Sequence, residues 1–200
     1  PFILIVHPSL PVRSVKEFVA LAKARPGQIN YASTGNGTGA HLGGELFKSI
    51  AGSDIVHVPY KGAGPAMVSV IAGEVQAYVQ IPPASLSQIQ AGKVRALAVA
   101  SPRRLRLLPD VPTMAEAGLP GYEQTAWNGL MAPAGTPRAI VAKLNAEILR
   151  ALKDPAISQR VADFGWEPAP ENTPEWFADY VKREITKWAK LVKETGAKAD

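Results

Sequence analysis

The stretch Tyr31-Ala-Ser-Thr-Gly-Asn-Gly-Thr-Gly-Ala-His41, followed by Leu42-Gly-Gly-Glu-Leu-Phe-Lys48, decides the fold of this chain. It predicts a short strand that leads through a glycine-rich turn into a helix. The first N–H groups of a helix have no intrahelical partner, and the helix dipole places about half a positive charge at the same end. The stretch therefore predicts a binding site for a small anion.

The composition of the turn supports this interpretation. Its glycines allow the backbone to approach a ligand closely, and its short polar side chains add hydroxyl and amide donors. No nucleophile, acid or set of metal ligands accompanies them in an obvious arrangement. The predicted ligand-binding residues of the turn are Ser33, Thr34, Gly35, Asn36, Gly37, Thr38 and Gly39.

The order of strand, glycine loop and helix occurs a second time, with a strand at 55–60 and a loop at 61–65. Two further apolar strands follow, one before and one after a short helix near residues 85–90. This alternation predicts an α/β fold with a largely parallel sheet. Ligands of such sheets bind beyond the carboxyl ends of the strands, so the loops at 33–39, 61–65 and 80–84 are expected to converge.

Two further residues are candidate ligand contacts on that rim. Tyr60 ends the second of these strands, where it would close over a ligand, and Lys61 beside it would attract a carboxylate. An edge aromatic and an exposed loop charge explain the same pair equally well. Gln80 ends an apolar strand between Val79 and Ile81, and its amide can donate and accept without adding charge.

Length and composition describe an ordinary globular chain. It has 200 residues, of which 46% are hydrophobic and 20% charged, with a formal net charge of +5. The basic residues are scattered among acidic ones, which argues against nucleic-acid binding. Cysteine is absent, so disulfides and thiolate metal sites are excluded. No stretch reaches the roughly 20 apolar residues that a membrane-spanning helix needs.

The second half of the sequence is poor in strands. Helices are predicted at 137–153, capped by Thr136, at 155–164, and at 174–195, capped by Thr173. An apolar stripe runs along the last of these helices and predicts a face that packs into a core. The stretch 122–131 is expected to be extended.

The residues offer several alternatives to an anion-binding site. Gly35-x-Gly37-x-x-Ala40 matches a relaxed dinucleotide fingerprint, but the next strand ends in Lys61 where that site needs an acidic residue. A phosphate loop would need Gly-Lys-Ser/Thr, which is missing. His7, His41 and His57 lack the spacing of a metal site, and each is interpreted as structural. Ser33 with His41 remains as a weak candidate for a nucleophile and its base.

Longer motifs resemble a known family, the solute-binding proteins of tripartite tricarboxylate transporters, also called the Bug family of bacterial periplasmic receptors. They cover nearly the whole chain, which makes them more specific than the glycine loop alone. The matching motifs are Tyr31-Ala-Ser-Thr-Gly-x-Gly-Thr with His41-Leu42, Val58-Pro-Tyr-Lys-Gly62, Gly92-Lys-Val-Arg-Ala-Leu-Ala-Val99, Leu108-Pro-Asp-Val-Pro-Thr113, Glu116-Ala-Gly-Leu-Pro-Gly-Tyr122, Trp127-Asn-Gly-Leu and Ala132-Pro-Ala-Gly-Thr-Pro137.

The resemblance implies a type 2 periplasmic-binding fold with two lobes. Residues 1–10 would hold a crossover strand, residues 11–125 the complete second lobe, and residues 126–200 a second crossover strand and the helical part of the first lobe. Family members carry an additional N-terminal stretch with a Pro-Gly-Gly loop, so the chain is expected to be N-terminally truncated. Gln80 stands where many members have an acidic residue, which disfavours a ligand with an α-amino group.

The resemblance also implies a function. A non-catalytic receptor would capture a small carboxylate in the periplasm and present it to the membrane subunits of the transporter, without a cofactor or metal and as a monomer. Two alternatives stay open from the residues: a ligand sensor that acts on a signalling partner, and an enzyme for an anionic substrate with Ser33 or His41 as its reactive group.

Overall fold

The computed structural model describes residues 1–167 and 172–199 of the chain, which divide into two compact units. The first unit comprises residues 1–126 and the segment from residue 191 onward, and the second comprises residues 127–190. The strands of the first unit are β1 (Ile3–Val6), β2 (Asn30–Ser33), β3 (Val56–Pro59), β4 (Ala77–Gln80) and β5 (Arg95–Val99). Its helices are α1 (Val15–Ala24), α2 (Gly39–Ala51), α3 (Ala63–Ala72) and α4 (Pro82–Gln90).

The five strands form one sheet in the order β3-β2-β4-β1-β5. β2 is parallel to β3 and β4, whereas β1 is antiparallel to both of its neighbours, β4 and β5. Four strands therefore run in one direction, as the alternation of strands and helices predicts. β1 lies in the interior of the sheet and is completely buried.

Alternation along the strands builds two cores, one on each face of the sheet. Leu4 and Val6 of β1 join Phe18 of α1 and Phe47 of α2 on one face. Ile3 and Ile5 join residues of α3 on the other face. Helices thus cover both faces, which is the layered arrangement expected for a sheet of codirectional strands.

Local signals explain where the helices begin and end. Ser14 caps α1 by accepting a hydrogen bond from the Glu17 N–H at 3.2 Å, and the stretch Ser14-Val-Lys-Glu17 has the sequence pattern of a capping box. α2 ends at Gly52, which has φ of +58°. α4 starts at Pro82, earlier than the sequence indicates, because proline suits the first helical position.

The second unit consists of α5 (Arg138–Leu152), α6 (Pro155–Asp163) and most of α7 (Pro174–Thr195). Thr173 accepts from the Trp176 N–H at 3.1 Å, which confirms the predicted cap of α7. The predicted cap of α5 is wrong, because the Thr136 hydroxyl donates to the Pro133 carbonyl and Pro137 takes the cap position. The structure has no strand in residues 122–132.

The predicted apolar stripe of α7 is only partly buried. Within the second unit, Trp127 packs edge-on against Phe177 and Tyr180, with ring centroids 5.5 and 5.9 Å apart. Ile185 is nevertheless 63% exposed. The described residues of α5 and α6 include none that is buried.

Candidate anion-binding site

The candidate site lies at the edge of the sheet where β2, β3 and β4 end. The parallel register places Ser33 opposite Pro59, and Ala32 opposite Tyr78, so the three carboxyl ends meet at one rim. Backbone hydrogen bonds tie the two glycine loops together there, from Tyr60 N–H to the Ser33 carbonyl at 3.0 Å and from Gly62 N–H to the Thr34 carbonyl at 3.3 Å.

The loop from Ser33 to Gly39 folds over its own polar groups. Gly35 has φ of +133° and Gly37 has φ of +72°, values that L side chains rarely adopt. The Thr38 hydroxyl donates to the Gly35 carbonyl at 2.8 Å, and the Gly35 N–H donates to the Ser33 hydroxyl at 3.1 Å. Several of the predicted donors are therefore occupied within the loop, which fixes its shape.

The first turn of α2 supplies the donors that remain. The N–H groups of Gly39 and Ala40 donate no hydrogen bond to any acceptor within residues 1–167 and 172–199. Thr38 occupies the cap position with an extended backbone and makes no side-chain cap hydrogen bond. A helix start with unpaired N–H groups and the positive end of the dipole attracts an anion.

Two histidines contact the loop. From the sequence, each is expected to be a separate structural residue. The rings of His41, on α2, and His57, on β3, are stacked with centroids 3.9 Å apart and an interplanar angle of 5°. Nε2 of His57 is 2.6 Å from the Ser33 hydroxyl oxygen, and Nδ1 of His41 accepts a hydrogen bond from the Gly37 N–H at 3.0 Å. Each ring thus contacts a different part of the loop.

Buried polar groups surround these rings. Tyr31 stacks on the other side of His57 at 5.1 Å, and its hydroxyl donates to the carboxylate of Glu45, which pairs with Lys48. Burial, and then the neighbouring His41, lowers the pKa of His57 to about 4, which leaves it neutral at ordinary pH. Burial and the charge of Glu45 raise the pKa of Tyr31.

Tyr60 and Gln80 lie at the rim, but their side chains belong to the opposite face of the sheet from Ser33 and His57. Tyr60 packs beside the core next to α3. Gln80 is 3% exposed; its amide donates to the Tyr78 hydroxyl and accepts from the Ile81 N–H at 2.7 Å. The structure brings the backbones of the predicted residues together and divides their side chains between two faces.

Two residues that position the loop, His57 and Gln124, are missing from the site residues that the sequence predicts. The hydroxyl of Ser33 is bonded to His57 rather than to His41, its suggested partner. The side chains of His57 and Ser33 lie on the same face of the sheet, because the register pairs His57 with Tyr31, two residues before Ser33. The alternation of side chains along the two strands is the sequence signal that could have indicated this contact. Gln124 anchors α2 by donating from its amide to the Gly39 carbonyl at 2.5 Å, and only the three-dimensional structure reveals this contact.

The described residues show neither a metal centre nor a membrane-spanning helix. Within the described residues, no group of three or more acidic, histidine or cysteine side chains is arranged to hold a metal ion. No helix among them has the length and apolar character needed to cross a membrane.

Comparison with known proteins decides the family. Residues 1–197 match the protein family described as the tripartite tricarboxylate transporter family receptor, TctC. The chain belongs to the TctC family. The receptors of this family act in the periplasm and bind solutes without catalysing a reaction, and the predicted resemblance is confirmed.

Individual relatives agree with this assignment. Protein BugT of Bordetella pertussis is 40% identical over 198 residues, which cover 99% of this chain and 60% of BugT. The Rhodopseudomonas palustris protein Rpa4515, solved with adipate, is 37% identical with a TM-score of 0.87, over 98% of this chain and 66% of that one. MatC from the same organism, solved with bound malate, is 35% identical with a TM-score of 0.83, over 96% and 66%.

These matches confirm the α/β fold of a TctC periplasmic-binding protein. They also show a difference in length, because the chain spans 57–60% of three curated relatives that it matches.

Proposed function

We propose that this chain captures a small carboxylate in the periplasm and delivers it to the membrane subunits of a tripartite tricarboxylate transporter. The observation that carries the proposal is the start of α2, where the N–H groups of Gly39 and Ala40 donate to nothing within the described part of the chain. The TctC relatives solved with adipate and malate support the ligand class, since both ligands are dicarboxylates.

The loop would hold one carboxylate with the N–H groups of Gly39 and Ala40 as its principal donors, helped by the side chains of Thr34 and Asn36. The N–H groups of Gly35 and Gly37 and the hydroxyls of Ser33 and Thr38 are bonded inside the site and would shape it. The hydrogen bonds inside the loop support this role, because a site that is already ordered loses less entropy when it binds. Tyr60 and Gln80 would flank the ligand from the second loop and from the end of β4.

Binding without catalysis fits the chemistry of the site better than an enzyme does. Ser33 is fully buried, and its hydroxyl contacts His57 and the backbone of Gly35. A histidine with a pKa near 4 is a weak base at neutral pH, so His57 is poorly suited to activate a nucleophile. We therefore propose a receptor that is not an enzyme and uses no cofactor.

We further propose the domain assignment that the resemblance implies. Residues 1–10 provide a crossover strand, residues 11–125 the second ligand-binding lobe, and residues 126–200 a crossover segment with the helical part of the first lobe; residues 126–132 of that segment form no strand in this structure. The receptor is proposed to be a monomer without affinity for nucleic acid.

Calorimetry on the complete gene product that contains these 200 residues tests the function. We expect adipate, malate or another small carboxylate to bind with a Kd of about 1 µM or tighter, about −8 kcal/mol. The neutral diamide of the same ligand is the control and should bind at least about tenfold more weakly, a loss of about 1.4 kcal/mol. Absence of binding across a broad panel of carboxylates would refute the proposal.

A further inference from the structure

We propose that the stacked pair of His41 and His57 positions the anion loop. This inference rests on the proposed function for its effect on affinity, but its structural part stands on the contacts alone. The two rings lie face to face at 3.9 Å, and each makes a hydrogen bond to the loop. Neither residue belongs to the set of ligand contacts predicted from the sequence.

The two hydrogen bonds hold the loop at different places. His57 holds its beginning through the hydroxyl of Ser33, which in turn accepts from the Gly35 N–H. His41 holds its middle through the N–H of Gly37. Because both contacts come from residues of regular elements, α2 and β3, the loop is tied to two rigid supports.

The direction of the hydrogen bond from Gly37 defines the state of His41. A ring nitrogen that accepts a hydrogen bond carries no proton, so Nδ1 of His41 is unprotonated and the other ring nitrogen holds the proton. In this state the ring accepts the hydrogen bond of the Gly37 N–H, so this N–H needs no acceptor from outside the protein. The loop is thereby directed so that Gly39 and Ala40, two and three residues further on, present their N–H groups at the start of α2.

The environment keeps both rings in place. His41 is 6% exposed, and His57 lies between His41 and Tyr31. Glu45 and Lys48, one and two helical turns after His41, form an ion pair at 3.1 Å beside the stack. A pair of rings packed this closely has little rotational freedom, so its hydrogen bonds cost little additional entropy when they form.

Two pairs of variants separate the hydrogen bonds from the packing. His41→Asn keeps an acceptor at the position of Nδ1, whereas His41→Leu keeps much of the volume without an acceptor. His57→Phe keeps a ring for the stack and removes the nitrogen that contacts Ser33, whereas His57→Gln keeps a polar group at the position of Nε2. His7→Asn is the control. His7 follows β1, whose last residue pairs with the first residue of β4, so it lies at the end of the strands away from the loop.

The first measurement needs no ligand. Hydrogen exchange of the Gly37 amide, followed by NMR on the complete gene product labelled with ¹⁵N-glycine and ¹⁵N-histidine, reports its hydrogen bond directly. We expect His41→Leu to lower protection of this amide about tenfold or more, and His41→Asn to restore it to within about threefold of the native value. The histidine nitrogen shifts should show an unprotonated Nδ1 for His41. Unchanged protection in His41→Leu would overturn the proposal.

The second measurement is the affinity for adipate or malate, whichever the native protein binds. His41→Leu and His57→Phe should each weaken binding about tenfold, and the Asn and Gln variants should recover most of the loss. Equal losses in both members of a pair would mean that the histidines only fill space. If the native protein binds no carboxylate while Gly37 protection follows the acceptor, the proposed function fails and the positioning role stands.

Discussion

The loops after β2 and β3 each lead from a strand through glycines into a helix, but they differ in the side chains that contact them. The first loop makes hydrogen bonds to two histidines and others within itself through its own hydroxyl groups. The helix that follows it packs closely against its neighbours at Gly43 and Gly44. Within the described residues, no side-chain hydrogen bond reaches residues 61–65, and a Cβ added at Gly62 or Gly64 would meet nothing within 4 Å. The comparison teaches that two turns of similar glycine content can differ widely in how many side chains hold them.

The largest expected effect concerns the packing of α2. A Cβ added at Gly44 would lie 2.0 Å from the ring of Tyr31, which is buried and bonded to Glu45. Gly44→Ala should lower the free energy of unfolding by about 3 kcal/mol, measured by urea denaturation. Ser49→Ala, an exposed position of the same helix, is the control and should change it by less than about 0.5 kcal/mol. A loss below about 1 kcal/mol in Gly44→Ala would show that the helix can move away from β2.

The second effect is a pH dependence of stability that arises at His57, the β3 residue that contacts the first loop. The pKa of His57 falls from 6.5 to about 4 on folding, so the unfolded chain binds more protons between these values. The stability contributed by neutral His57 is present above pH 6.5 and is lost as the pH falls toward 4. We expect this loss to be about 1–2 kcal/mol, reduced by solvent screening because the ring is only half-buried.

Urea denaturation at neutral and at mildly acidic pH measures this loss, and His57→Phe should diminish it. An equally steep loss of stability in His57→Phe would assign the pH dependence to other groups.

A third comparison substitutes one glycine in each loop. Gly35 and Gly62 both have positive φ, and an added Cβ at either site makes no contact closer than 3.7 Å. Gly35→Ala and Gly62→Ala should therefore each lower the free energy of unfolding by about 1–2 kcal/mol through backbone strain. Only Gly35→Ala should weaken carboxylate binding measured by calorimetry, by about tenfold. Equal loss of affinity in both variants would place the second loop in the site as well.

The smallest effect tests the charge of the second loop. Lys61 is exposed, and its attraction for a bound carboxylate would be screened by salt. Lys61→Ala should change the affinity less than about twofold at physiological ionic strength, equivalent to under about 0.5 kcal/mol. Titration at low and at high salt measures the change. A loss of tenfold or more would show that Lys61 contacts the ligand directly.

The sequence predicts the first unit of the fold well because its signals are local. Alternating strands and helices, the cap at Ser14 and the glycine stops all act within a few residues. The family resemblance is confirmed by the match over residues 1–197. The choice of ligand contacts in the two loops stays a prediction.

The contacts that order the site are not local, and the sequence does not reveal them. His41 and His57 meet because the register of β2 with β3 places His57 opposite Tyr31, below α2. Gln124 reaches the Gly39 carbonyl across 85 positions of the sequence. The exposed apolar side chains of α7, such as Ile185, show a second limit of prediction from sequence. An apolar stripe predicts that one face of a helix is buried, but it does not tell which residues cover that face.

The position of β1 has a consequence for the order of folding. β1 pairs with β4 and β5, so β5 joins the sheet only through a strand that lies about ninety residues earlier. Closing so long a loop costs chain entropy before any ladder hydrogen bond forms, which slows the step. β2, β3 and β4 can pair with one another before β5 joins, and until then the hydrophobic residues of β1 lack their second neighbour. Ile3–Val6, buried throughout in the folded sheet, are therefore an apolar segment that a chaperone would need to shield until β5 pairs.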